Sequence, residues 1–449
     1  MMRSLYAGVS GLKTHQTKMD VIGNNIANVN TVAYKSQSIT FSDLMYQTTQ
    51  SASGPNAVTG AGGVNARQIG LGVQSAAINT AITTAGASQT TGNPFDLRIN
   101  GDAFFIVSNG VENFFTRDGS FYVDGAGNLA MTSTGYNVMG WQVDPNNPSA
   151  IKQDTVTALR IMTEENMTYP AAATTDVTIG GIVDKNDTNV NSADGKIMNM
   201  EIYDEKGYKY TVKLSVHAVD GDNGEFSVQL DDILDSNGDS IIFEEDGVTY
   251  KSGFSGSSVQ LNGVDIRTAD AASLIFDSGN GTFKGVGAEG QESIQLTFGG
   301  ELPSFKTINI DFSAVSNLNN NGSSTITATR GDESGNGAGR KVGEMSGVSI
   351  QKDGMIYATY DNGQSRLLGQ IAVATFANAS GLAKEGDNLY SATQNSGDFD
   401  GIGSDITAGG GYMNTGVLEM SNVDLSSEFT EMITTQRGFQ ANSRIITVS

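Results

Sequence analysis

The feature that most restricts what this chain can fold into is a seven-residue spacing of apolar side chains at both of its ends. Near the start it runs Leu5, Leu12, Met19 and Ile26, with Ile22 and Val29 on a neighbouring row; near the end it runs Leu418, Leu425, Met432, Phe439 and Ile446. Such spacing marks a helix whose narrow apolar seam faces another helix. A helix of about four heptads is marginal in water until its seam is covered. Two seams at opposite ends of one chain predict that the ends meet, and that they meet copies of themselves. The predicted assembly interface comprises Leu5, Leu12, Met19, Ile22, Ile26, Leu425, Phe429, Met432, Ile433, Phe439 and Ile446.

Ser4 to Asn28 reads as one helix, about 40 Å long at 1.5 Å per residue. Gly8, Gly11 and Gly23 each cost it up to ~1 kcal/mol of propensity, and they read as positions where another helix comes close. Gly438, inside the second helix, reads as a tolerated weak spot or as a flex point. The first helix stops in the run Asn24-Asn25-Ile26-Ala27-Asn28-Val29-Asn30-Thr31, where Asn side chains compete for backbone bonds and tolerate left-handed geometry.

Both ends also carry longer signatures. SLYAGVSGLKTHQTKMDVIGNNIANVNTVAYK and SNVDLSSEFTEMITTQRGFQAN resemble the N- and C-terminal signatures of the bacterial flagellar rod and hook axial protein family. The signature positions are Asn24, Asn25, Asn28, Asn30, Thr31, Tyr34, Lys35, Ser421, Asn422, Val423, Asp424, Gln436, Arg437, Gln440 and Asn442. Where the family has Gly before the aromatic residue and Lys, this chain has Ala33, so the resemblance carries over the turn's location but not its geometry. Family members continue past Ser449 with further turns of helix, which leaves either a clipped chain or a shorter inner layer.

The resemblance implies a fold that is mainly β with terminal α-helices: paired end helices as a coiled-coil-like inner layer, with two β domains outside. Residues 1–30 and 422–449 read as the helical part, and 31–92 with 400–421 as an extended connector. Residues 93–155 and 333–399 read as one discontinuous β domain, and 156–332 as an inserted all-β domain. The Ser-, Thr-, Ala-, Gly- and Asn-rich 48–92 cannot bury enough apolar area alone. It is expected to order only against neighbouring subunits or to stay a disordered linker, with one strand-like alternation at Ile69-Gly70-Leu71-Gly72-Val73. From Phe95, short strands separated by Asn100-Gly101, Asp118-Gly119 and Asp124-Gly125 turns predict a β domain. Its expected core is Phe104, Phe105, Phe115, Phe121, Tyr122 and Trp141. In the insertion, Ile197-Met200-Ile202, Tyr210-Val212-Leu214-Val216 and Ile294-Leu296-Phe298 alternate as strands, and 316–340 reads as a polar return linker.

Composition then excludes function classes. Of a net charge of −23, residues 151–330 supply −15, from 27 acidic and 12 basic side chains, while the first fifty residues are slightly positive. An acidic body argues against nucleic acid as a partner. The chain has no cysteine, which removes disulfides, thiolate metal sites and cysteine nucleophiles. No apolar run reaches the ~18 residues of a membrane span, and the start lacks the pattern of a cleaved signal peptide. His15 and His217 have no Ser–His–Asp spacing around them. Asp235-Ser-Asn237-Gly-Asp239 mimics the opening of a calcium loop but has Ser240 at the required glycine and Asp246 at the required glutamate, so it reads as a surface turn. No enzyme activity, cofactor, metal or small-molecule substrate is expected.

The resemblance therefore implies a structural subunit that polymerises with copies of itself. The inserted domain and the length favour the curved hook tube, which joins the rod to the filament and transmits torque, over the alternative of a distal rod protein with an insertion. It also implies export from the cytoplasm through the flagellar type III apparatus, an extracellular location, and rod, hook-cap and hook–filament junction proteins as neighbours. An enzyme or adhesin with borrowed ends would need an ionisable cluster or aromatic groove in 156–332, and neither is found.

Overall fold

The structure, a computed structural model, describes residues 2–55, 60, 62–268 and 271–448. The chain divides into two compact units, Met1–Asn166 with Gly347–Thr359 and Ser365–Ser449, and Met167–Ser346 with Tyr360–Gln364. Residues 156–166 thus lie in the first unit and 333–346 in the second, against the expected bounds of 156–332 for the insertion.

In the first unit, the N-terminal helix spans Met2–Ala27 and the C-terminal helix Leu425–Val448. Two members of the predicted rows fall outside them. Val29 lies in the turn after the first helix. Leu418 is in the strand Val417–Glu419, paired with Ser88–Thr90, so the second heptad begins one repeat later. Asp424 sets that start: its Oδ1 accepts from the amides of Ser426 at 2.9 Å and Ser427 at 3.4 Å, capping donors the helix cannot satisfy itself.

The connector is not merely extended. Strand β1 (Gln37–Asp43), β2 (Tyr46–Gln50), β3 (Arg67–Gly70) and β4 (Val73–Thr80) form two antiparallel ladders, β1 with β4 and β2 with β3. Most of their side chains are exposed, so backbone bonds hold them together, which is why apolar patterning hinted at them only through the Ile69–Val73 alternation. Gly72, at φ +129°, breaks the Ile69–Val73 alternation and brings the chain against Ala7 and Ser10 of the first helix.

The β domain is built from both halves of the chain. Strands Ser365–Ile371, Asn137–Asp144, Phe104–Ser108, Asn113–Thr116, Leu389–Ser391 and Ala383–Gly386 follow one another across one sheet, each pair antiparallel. Phe104, Ile106, Phe115, Trp141 and Tyr390 pack on one side of it, and Phe105 meets Phe121 edge-on at 5.0 Å. The Trp141 indole donates to the carbonyls of Asp154 at 2.9 Å and Ile402 at 3.0 Å. Tyr122, expected in this core, is 42% exposed, because the alternation of Phe121–Val123 turns it outward.

In the second unit, two six-stranded sheets share one apolar core that includes Phe226, Phe243, Phe276 and Phe312. Val212, Leu214 and Val216 point into it as predicted. In Lys196–Tyr203 the inward row is Met198, Met200 and Ile202, and Ile197 faces solvent. The polar 316–340 stretch is not a free linker. Thr327–Arg330 joins a sheet, and the buried Asp184 accepts from the amides of Asn320 and Gly322 at 2.7 and 2.8 Å.

Candidate assembly surface

The two terminal helices lie antiparallel along each other. Lys18 Nζ meets Glu431 Oε2 at 2.9 Å, and Asn25 Nδ2 donates to Glu428 Oε1 at 2.8 Å. At the other end, a Cβ added to Gly8 would stand 3.3 Å from Ile446, and one on Gly11 would collide with Asn442. Gly8 and Gly11 are therefore close-approach positions, as predicted. Gly23 is not, since nothing lies within 4 Å of where its Cβ would be. Gly438 follows neither of its two readings: a Cβ there would be 2.8 Å from the His15 ring, so it is the matching small residue on the second helix. Burial, then the nearby Lys18, hold the His15 imidazole below its ordinary value, and its Nδ1 has no hydrogen-bond partner among the described residues.

Where the helices leave the β domain, signature residues close a polar junction. Asn25 Oδ1 accepts from the Gln37 amide at 2.9 Å, its Nδ2 donates to the Gln37 carbonyl at 2.8 Å, and Asn24 Nδ2 reaches the Tyr34 hydroxyl at 3.0 Å. Asn28 Nδ2 bonds back to the Asn24 carbonyl, and Thr31 donates to Asn28 Oδ1. Asn422 Oδ1 accepts from the Ser36 amide at 2.7 Å while its Nδ2 donates to the Ala81 and Thr84 carbonyls. Ser421 caps the amide of Val423. Ala33 adopts φ +55°, buried, with its amide on the Glu419 carbonyl at 2.8 Å. The turn is left-handed at this position, and the alanine bears the strain. Among the signature positions, Asn24, Asn30, Asp424, Gln436, Arg437 and Gln440 are exposed.

Beneath this junction lies a charge cluster that sequence reasoning touched only at Lys35, named as a signature position. Lys35 Nζ pairs with Glu419 Oε1 at 2.7 Å and donates to the Thr84 carbonyl at 2.8 Å. Glu419 Oε1 also accepts from the Gly86 amide at 2.9 Å, and its Oε2 stands 3.9 Å from Arg117 Nη1. All three side chains are at most 2% exposed. Burial pulls the Lys35 ammonium below its ordinary value against the opposing pull of Glu419, and burial does the same to Arg117, whose guanidinium lies 5.0 Å from the Phe104 ring centre. The available hint was Glu419 itself, a lone acid inside the apolar Val417–Met420.

The predicted interface residues divide into two groups. Ile22 is buried, and Leu5, Leu12, Met19, Ile26, Met432, Phe439 and Ile446 are half-buried. Leu425, Phe429 and Ile433 are 39%, 50% and 53% exposed, spaced four residues apart on one face of the C-terminal helix. Away from the ends, Ser215 Oγ does lie between His217 Nε2 at 3.0 Å and Asp231 Oδ1 at 2.9 Å, a convergence the sequence spacing had not suggested. The order is wrong for a nucleophile, because the serine is the central, fully buried member. Asp235 Oδ1 accepts from the Asn237 and Asp239 amides, the pattern of a turn between strands. Among the described residues no cluster of three or more carboxylates or histidines is placed to hold a metal ion.

An antiparallel pair of end helices, a β domain assembled from both halves and an inserted second unit agree with what the resemblance to the flagellar rod and hook class implies. Residues 5–35 match the family described as "Flagella basal body rod protein", 98–184 the "Flagellar hook protein FlgE/F/G D1 domain", and 414–449 the "Flagellar basal body rod FlgEFG protein C-terminal". Over its whole length the chain is 35% identical to the flagellar hook protein FlgE of Treponema pallidum, covering 97% of it. It is 36% identical to that of Borreliella burgdorferi, again covering 97%. The chain belongs to the flagellar hook protein FlgE family. It is also 28% identical to the basal-body rod protein FlgG of Bacillus subtilis across 96% of that protein, so chain length alone does not separate hook from rod.

Proposed function

We propose that this chain builds the flagellar hook by packing its end helices against those of neighbouring copies, and that the inner face of each helix pair is closed within the subunit. The observation that carries the reading is the division of the predicted interface: one set of apolar residues buried or half-buried within the chain, and Leu425, Phe429 and Ile433 left on the outer face. Full burial of each such side chain contributes about 1.5–3 kcal/mol. The finer reading is a curved tube between rod and filament that transmits torque, with rod, hook-cap and junction proteins as neighbours and type III export as the route out of the cell. It has no catalytic part; the support is a family of structural subunits and a chain whose signature side chains hold the ends together.

Electron microscopy of the purified chain at rising concentration tests it, beside a version lacking residues 1–30. Tubes from the full chain and none from the shortened one are expected. Leu425→Asp should leave both units folded and raise the critical concentration roughly tenfold to a hundredfold, the equivalent of one lost apolar contact. Normal tubes from Leu425→Asp at the ordinary concentration would show that this face is not used.

A further inference from the structure

The exposed stripe on the C-terminal helix has a counterpart elsewhere on the same unit. Between the N-terminal helix and the β1–β4 connector runs a groove of about 630 Å³, walled by Tyr6, Val9, Ser10, Lys13, Leu44, Met45 and Leu71. Its apolar rim is open to solvent, with Tyr6 69%, Val9 53% and Met45 76% exposed. The C-terminal helix of the same chain cannot reach it. That helix occupies the face of Gly8, Gly11 and His15, whereas Tyr6, Val9 and Lys13 point the other way round the helix. We propose that this groove receives the Leu425–Phe429–Ile433 stripe of a second copy of the chain. The inference rests on the self-assembly reading above and names the partner surfaces.

Three observations favour a second copy as the occupant. The stripe has the i, i+4, i+8 spacing with which a helix enters an apolar groove, and Phe429 at its centre supplies the aromatic anchor. Asp424, at the start of the stripe, is exposed, and the groove's one charged wall residue is Lys13. Groove and stripe also lie on opposite sides of one helix pair, so docking leaves a free groove and a free stripe at the two ends. Such a heterologous contact propagates as an open polymer. It fixes an offset too. The stripe centres on Phe429, which lies beside residue 24 or so of the first helix, given that Gly8 faces Ile446 and Asn25 bonds Glu428. The groove centres near residue 9, so successive copies are displaced by about 22 Å along the helix axis at 1.5 Å per residue.

The absence of native cysteine makes the test direct. Val9→Cys and Ile433→Cys chains are assembled together with an excess of unmodified chain and oxidised. Covalent dimers containing one of each are expected, and none from Val9→Cys paired with Val111→Cys, a residue 89% exposed on the β domain. Tubes that contain both variants but yield no such dimer overturn the pairing and leave self-assembly standing. Failure of the unmodified chain to form tubes overturns the assembly reading and this one with it. As a second measurement, Met45→Asp should raise the critical concentration at least tenfold with an unchanged thermal transition; a wild-type value counts against the groove.

Discussion

Ala33 shows how much a single backbone angle can matter. At φ +55° it occupies the left-handed region, which costs a residue with a Cβ roughly 1–2 kcal/mol. Its neighbours hold it there, since its amide is fixed on the Glu419 carbonyl and Lys35 is drawn into the charge cluster two residues later. Ala33→Gly should stabilise the first unit by up to ~1 kcal/mol, the relief being partly offset by the greater freedom of glycine in the unfolded chain. Urea unfolding followed by Trp141 fluorescence measures it, and a loss of stability would mean the turn is not strained. Lys35→Met goes the other way. It leaves Glu419 buried with the Gly86 amide and the 3.9 Å contact to Arg117 but no close cation, and breaking a buried pair from one side costs about 3–5 kcal/mol. The same urea midpoint reads that loss, and an unchanged midpoint would show that the pair is not needed.

At the level of elements, the terminal helices pair because small residues alternate with large ones across their contact. Gly438→Ala gains up to ~1 kcal/mol of helix propensity but drives a methyl group into His15, and overpacking of that kind typically costs 1–3 kcal/mol. A net loss of helix-pair stability is expected by circular dichroism, and His15→Ala in the same chain should restore it. A gain from Gly438→Ala alone would return this position to the role of a flex point. The helices themselves were legible because a seven-residue period is a local property of the sequence. The mode of their pairing was partly legible, through Gly8 and Gly11. The connector ladders were not, because main-chain bonds carry no side-chain signature. Nor was the Lys35–Glu419–Arg117 cluster, whose ion pair joins residues 384 positions apart with no pattern linking them. The outward turn of Ile197 and Tyr122 was misread for a simpler reason. Both sit beside inward-facing neighbours on a period of two, where a shift of one residue exchanges the faces.

The molecule as a whole carries its acidity in specific bonds as well as in its net charge. Asp184 is held below the usual carboxylate range by the amides of Asn186, Asn320 and Gly322. At Asp187 burial pushes upward, yet the amides of Asn189 and Ser324 prevail and the group is also lowered. A carboxylate lowered in the folded state contributes stability that is complete above its unfolded value of about 3.9 and is lost as pH falls through that value toward the folded one. Calorimetry should therefore show the second unit's transition falling as the pH drops below about 4. Asp184→Asn should flatten that fall while lowering the transition at pH 7, by roughly 2–4 °C for each kcal/mol lost. An undiminished slope in the variant would assign the acid sensitivity elsewhere. The contacts that pair the two terminal helices, meanwhile, join one end of the polypeptide to the other: Asn25 bonds Glu428 across 403 positions. A copy without residues 425–448 has nothing for its first helix to hold, so the helix pair is a property of two distant stretches present in one molecule.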